Sequence, residues 1–163
     1  MSLLTLVQDA SRRIGLPVPN AVLSSTSDNV QQLAGLANEE GQELAARYNW
    51  QALTKEASFT TVAAEVQGSL ATLTGPDFGW ILNETIWNRS QRRPIFGPKS
   101  PANWQMLKAS FMNGPWIQYR FRGNQLLFLP TPAAGQACFF EWQSKNWVVD
   151  QEGTTTYPQW NAD

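Results

Sequence analysis

Arg89, Arg92, Arg93 and Lys99 form the densest cluster of charge in the chain, with Trp87 and Phe96 beside them. Guanidinium and ammonium groups pair with phosphates and flat rings stack on bases, so this combination suits nucleic acid. The same residues on a hairpin suit an acidic neighbouring subunit, and that reading is preferred. Trp87, Arg89, Arg92, Arg93 and Lys99 are therefore candidates for a subunit interface or for the wall of a DNA channel. The strand Tyr119-Arg120-Phe121-Arg122-Gly123 has the flavour of an RNA-binding strand, but alternation explains it better. Ile117, Tyr119 and Phe121 would face one way, and Gln118, Arg120 and Arg122 the other.

Catalytic chemistry finds little to work with. Histidine is absent, which removes the commonest general base, the commonest zinc ligand and every Ser-His or Cys-His arrangement. Cys138 is the only cysteine; it forms no disulfide framework within the chain and reads as a small buried hydrophobe. Glu39, Glu40 and Glu43 fall on the polar face of a helix, and Asp77 and Glu84 lie in or near a turn. Gly75-Pro76-Asp77-Phe78-Gly79 lacks the spacing and the following helix of a phosphate loop. No enzyme, cofactor or metal site is expected.

Eight tryptophans are the compositional oddity. Trp80, Trp87, Trp104, Trp116, Trp142 and Trp147 are spread about one per element, which suits core and interface anchors. Exposed in one place they would make a carbohydrate platform, and a β-rich carbohydrate-binding module is the alternative reading. A nucleic-acid-binding protein comes third. With 12 basic and 13 acidic residues the chain has no global pull toward nucleic acid or an anionic membrane. No apolar run approaches the roughly 20 residues that span a bilayer. Arg12 and Arg13 follow the apolar part of the N-terminus, the reverse of a signal peptide, so none is read.

The elements that carry these residues begin with helices. Residues 2–14 place Leu3, Leu6, Val7, Ala10 and Ile14 on one helical face, with Gly15 as C-cap and Pro17 and Pro19 preventing continuation. Asp28 to Trp50 reads as a long helix capped by Ser27 or Asp28. Val30, Leu33, Ala37, Gly41, Leu44 and Tyr48 mark its packing face, and Ala34, Ala37, Gly41 and Ala45 make a row of small side chains. Glycine inside a helix costs roughly 1 kcal/mol against alanine, so Gly41 predicts close approach of another helix. The two helices predict an antiparallel pair.

After Trp50 the pattern turns to short strands. Ser58–Val62 is rich in β-formers, and Leu70–Leu73 reads as a strand or extended loop. Ile81–Trp87 and Arg93–Phe96 read as hairpin arms around Asn88–Gln91. Ser100-Pro101 starts a short helix over 101–110. Trp116–Phe121 and Gln125–Leu129 alternate across an Arg122-Gly123-Asn124 turn. Ala137–Trp142 and Asn146–Val149 are further strands. The fold class is therefore α+β, with a helical scaffold over 1–53, a β-rich insertion over 54–150 and a polar irregular tail over 151–163. The closing helices of the scaffold are missing, so the chain is expected to continue past Asp163.

This layout resembles the head–tail adaptor proteins of tailed bacteriophages, the head-to-tail connector or tail tubular protein A family. Residues 6–53, LVQDASRRIGLPVPNAVLSSTSDNVQQLAGLANEEGQELAARYNWQAL, carry the likeness as a short helix, a G-x-P-x-P loop, a capped long helix and an aromatic exit. Residues 86–105, IWNRSQRRPIFGPKSPANWQ, add a connector-like hairpin and a short helix. Together they cover under half of the chain, and the motifs are architectural. The resemblance implies a helical bundle with an inserted β region. It also implies a homo-oligomeric ring of about twelve copies, between the portal protein and a tail nozzle protein. Genomic DNA would pass through its lumen with non-specific contact. The expected location is the virion, at its connector, after assembly in the host cytoplasm.

Overall fold

The computed structural model describes residues 2–110, 114–150 and 156–161. The chain is α+β, and it divides into two compact units: Met1–Leu53 with Lys145–Asp163, and Thr54–Ser144.

In the first unit, α1 (Leu3–Ile14) starts at a capping box: Ser2 Oγ accepts from Thr5 N at 3.2 Å, and Ser2 N donates to Thr5 Oγ1 at 3.1 Å. It ends at Gly15 in the left-handed conformation. α2 (Asp28–Arg47) follows, and its N-cap Ser27 makes no side-chain capping bond. The two helices form an antiparallel pair around Leu3, Val7, Val22 and Val30, with Leu33, Ala34 and Ala37 packed against them. α2 stops at Arg47, short of Trp50, so Tyr48 lies outside the helix and is exposed.

The expected boundary at 150 moves to Ser144, because Trp147 and Trp160 belong with the helices. The expected strand Asn146–Val149 shortens to β9 (Val148–Val149). It pairs antiparallel with β10 (Thr156–Tyr157), so that part of the tail is not irregular. Residues 158–161 carry neither helix nor strand, as expected of the tail, and 151–155 and 162–163 lie outside the described residues.

The second unit is built around one long strand. β1 (Thr54–Thr60) and β8 (Ala137–Ser144) pair antiparallel from Thr54↔Gln143 to Thr60↔Ala137. The other edge of β8 is shared by β3 (Phe78–Ile81) and by β4 (Trp87–Asn88), which in turn pairs with β5 (Arg93–Pro94). The expected first hairpin arm is thus two pieces, because Ile81 pairs with Trp142 while Trp87 pairs with Phe139. A three-stranded sheet of β2 (Val66–Ser69), β7 (Gln125–Leu129) and β6 (Gln118–Arg122) completes the unit, joined to the first sheet by the bridge Phe96↔Gln118. Both sheets face one core, in which Ile86, Tyr119, Leu126, Phe128, Cys138 and Phe140 are essentially inaccessible. Ile117 and Phe121 pack against this core on the same side as Tyr119, as alternation required.

Leu70–Thr74 is a helix, α3, and not a strand. Ser69 Oγ accepts from Thr72 N at 3.1 Å and Thr74 Oγ1 donates to the Leu70 carbonyl, so local side-chain bonds override the β-branched composition. α4 (Pro101–Ala109) follows its N-cap Ser100, whose Oγ accepts from Asn103 N at 3.2 Å.

The β unit is fastened by Asp77. Its carboxylate accepts from Lys55 Nζ at 2.5 Å and from Ser144 Oγ at 3.0 Å, tying the entry strand to the exit strand. Burial alone would raise this carboxyl, but the two donors outweigh it and hold it below the usual carboxylate range. Burial pushes the Cys138 thiol up to about 11, which fits an inert core residue.

Candidate functional site

The hairpin that carries the basic cluster is held by side chains that sequence reading passed over. Buried Asn88 donates through Nδ2 to Gln136 Oε1 at 2.6 Å, and its Oδ1 accepts from Gln91 N at 3.0 Å. Ser90 Oγ accepts from Ala137 N at 2.9 Å, and Arg89 N donates to the Ala137 carbonyl. The Asn-x-Ser-Gln run is the signal that could have been read, since Asn side chains close turns on their own backbone.

The four cations do not act as one group. Arg89 forms an ion pair with Glu56, and its guanidinium lies 3.6 Å from the centre of the Phe139 ring, so it is engaged within the unit. Arg93 lies across the hairpin, 5.5 Å from the Trp116 ring. Arg92 occupies the left-handed backbone region at φ 56°, a conformation costing a residue with a β-carbon about 1 kcal/mol. Lys99 is placed by its N–H donating to the Tyr119 carbonyl at 2.9 Å. Among the described residues, Arg92, Arg93 and Lys99 have no carboxylate within ion-pairing distance.

Gly97 lets this segment lie against β6. A Cβ there would stand 2.5 Å from the Tyr119 carbonyl oxygen; with none in the way, Tyr119 N donates to the Phe96 carbonyl at 2.9 Å and Phe96 N to the Ile117 carbonyl at 3.0 Å.

Register then reveals an alignment that composition could not. Phe139 pairs with Trp87, Trp87 with Pro94, and Phe96 stands two residues further along on the same face. Phe96 meets Trp116 edge to face with centroids 5.8 Å apart. The outer surface of the β unit thus carries a continuous row from Phe139 to Trp116, in which Trp87, Phe96 and Trp116 are 45, 45 and 46% exposed. A hollow of about 330 Å³ beside Trp87 is lined by Glu56, Glu84, Thr85 and Glu141, and another of about 440 Å³ beside Phe96 by Glu84, Gly97, Pro98 and Lys99. Glu84, which lines both, is like Arg92 a non-glycine residue with positive φ, 66°. The hollow beside Trp87 thus holds Arg89, paired with Glu56, and two further carboxylates, Glu84 and Glu141, while the one beside Phe96 holds Lys99 with Glu84.

The tryptophans divide by role. Trp104 and Trp142 are buried, Trp87 and Trp116 lie on the row, and Trp147 packs in the helical unit. Of the small residues on α2, Ala34 and Ala37 meet the helix-pair core and Ala45 is half-buried. Gly41 is approached by an indole and not by another helix: a Cβ on it would overlap the six-membered ring of Trp147. Trp147 is held there by its Nε1, which donates to the Pro158 carbonyl at 2.7 Å, and by an edge contact with Trp160 at 5.6 Å. Trp160 N in turn donates to Asn38 Oδ1 on α2 at 2.8 Å.

Among the described residues no group of three His, Cys, Asp or Glu side chains is placed to hold a metal ion, and no helix is long and apolar enough to cross a membrane. No protein family matches this sequence, and neither does any curated protein.

Proposed function

We propose that this chain is a structural virion protein, a head–tail adaptor that forms a ring between portal and tail and lines the DNA conduit. The observation that carries the reading is the insertion itself: a self-contained β unit, Thr54–Ser144, interrupts a helical unit whose two segments close on each other through Trp147 and Trp160. A scaffold that returns to itself around an insertion suits the architecture that the resemblance implies. The aromatic and arginine composition of the outer row suits a protein–protein interface, where Trp, Phe and Arg are enriched and lone carboxylates are not. Non-specific contact with genomic DNA would fall to Arg92, Arg93 and Lys99, which have no carboxylate within ion-pairing distance among the described residues.

The test is co-assembly with a purified portal ring of a short-tailed phage, followed by native mass spectrometry. A ring formed alone or on the portal supports the adaptor, and a monomer indifferent to the portal contradicts it.

A second reading has one observation in its favour. The Trp87 indole beside Glu56, Glu84 and Glu141 is a stacking face next to hydrogen-bond acceptors, as a sugar requires. Saturable quenching of tryptophan fluorescence by a glycan would favour a carbohydrate-binding module.

A further inference from the structure

We propose that the basic end of the outer row, Arg92, Arg93 and Lys99 around Phe96 and Trp116, seats on the outward face of α2 in a second copy of this chain. The inference rests on the ring reading above and specifies the contact that would build the ring.

Two surfaces need a partner and they complement each other. On α2, Leu36 and Leu44 are 56 and 47% exposed, and Glu39, Glu40 and Glu43 lie around them. Steps of three and four place Leu36, Glu39, Glu40 and Glu43 on one side of the helix, with exposed Leu44 at its border with the face of Leu33 and Ala37. Glu43 is answered by Arg47 on the next turn, while Glu39 and Glu40 have no cation within ion-pairing distance among the described residues. On the β unit the balance is inverted: Arg92, Arg93 and Lys99 stand around exposed rings, with Glu84 lining the hollow beside Phe96. Leucines facing aromatic rings, inside a rim of opposite charge, is the composition of a specific protein contact.

A second copy is favoured over nucleic acid by the far end of the same row. Glu84 and Glu141 beside Trp87 would repel a phosphate backbone that ran along all the exposed rings. The two surfaces lie on different parts of the chain, so the contact is heterologous. Such contacts repeat head to tail and close into rings when the rotation allows.

The experiment uses the full chain in three forms: wild type, R92E/R93E, and E39R/E40R. Sedimentation should show that each variant self-associates about tenfold or more weakly than wild type, because like charges now face each other. An equimolar mixture of the two variants should recover the wild-type assembly, since each supplies the surface that the other needs. The recovery guards against misfolding, which mixing does not repair. In parallel, separate E40C and R92C proteins are mixed with a bis-maleimide; Cys138 is fully buried and stays silent. Mixed E40C–R92C cross-links are expected. Assembly unchanged by either charge reversal, or cross-links only between like variants, overturns this contact and leaves the adaptor reading standing. A chain that stays monomeric with and without a portal ring, yet quenches with a glycan or binds a single-stranded oligonucleotide, overturns both.

Discussion

Two glycines on one helix should respond to the same substitution with opposite signs. Gly35 and Gly41 both lie inside α2, where alanine is worth about 1 kcal/mol more than glycine. A Cβ on Gly35 meets nothing within 4 Å, so Gly35→Ala should realise that gain. A Cβ on Gly41 overlaps the Trp147 ring, and the ring cannot simply swing aside, because its Nε1 is bonded to the Pro158 carbonyl and it packs in a T-shaped pair with Trp160. Displacing a packed side chain costs about 1–3 kcal/mol, and the lost hydrogen bond about 1 kcal/mol. Against the propensity gain, Gly41→Ala should therefore destabilise the helical unit by about 1–3 kcal/mol. Urea unfolding followed by far-ultraviolet circular dichroism reads this unit, since α1 and α2 are the longest helices. The midpoint should rise for Gly35→Ala and fall by about 1 M for Gly41→Ala. With Trp147→Ala as background, the penalty should vanish and Gly41→Ala should stabilise. If the two alanines shift the midpoint alike in the wild-type background, the Trp147 contact is not what glycine serves here.

Other expectations concern caps, core and charge. Ser100→Ala should cost about 1 kcal/mol by orphaning the Asn103 amide, whereas Ser27→Ala, which loses no side-chain capping bond, should change stability little; paired thermal melts check this. Asp77→Ala should cost about 1–2 kcal/mol, discounted because Lys55 is 44% exposed, and hydrogen exchange should quicken where β1 and β8 enter and leave the unit. The Asp77 carboxyl is held below its ordinary 3.8, so its stabilisation is complete above that pH and is lost as pH falls through the lower folded value. Lys55→Ala should flatten that acid limb of the melting curve. At the other extreme, burial pushes Tyr119 from 10.0 up to about 12 and Cys138 from 9.0 up to about 11. Their stabilisation is complete below pH 9 and is lost as pH rises through these folded values, so the melting temperature should fall across that window and fall less for Cys138→Ala.

What was legible in the sequence was whatever is decided locally. The starts of α1 and α4 are written in Ser2-x-x-Thr5 and Ser100-Pro101, because capping acts over a few residues. The Gln118–Leu129 hairpin is legible from alternation around Gly123. Leu70–Thr74 was not, since five residues are too few for periodicity and the deciding bonds belong to Ser69 and Thr74. The tight approach at Gly41 was legible as a need but not in its partner, because Trp147 arrives from beyond the whole β unit. The basic cluster was visible as composition, yet the engagement of Arg89 by Glu56 and Phe139, and of Arg93 by Trp116, depends on register. The aromatic row is likewise a product of pairing: Phe139, Trp87 and Phe96 are scattered in sequence and become neighbours only across β8, β4 and β5.

The central claim, that the chain is a ring-forming adaptor, is tested most directly by its mass in solution, alone and with a portal ring. The account predicts a closed homo-oligomer alone, or a monomer that assembles on the portal. A monomer in both conditions would contradict it.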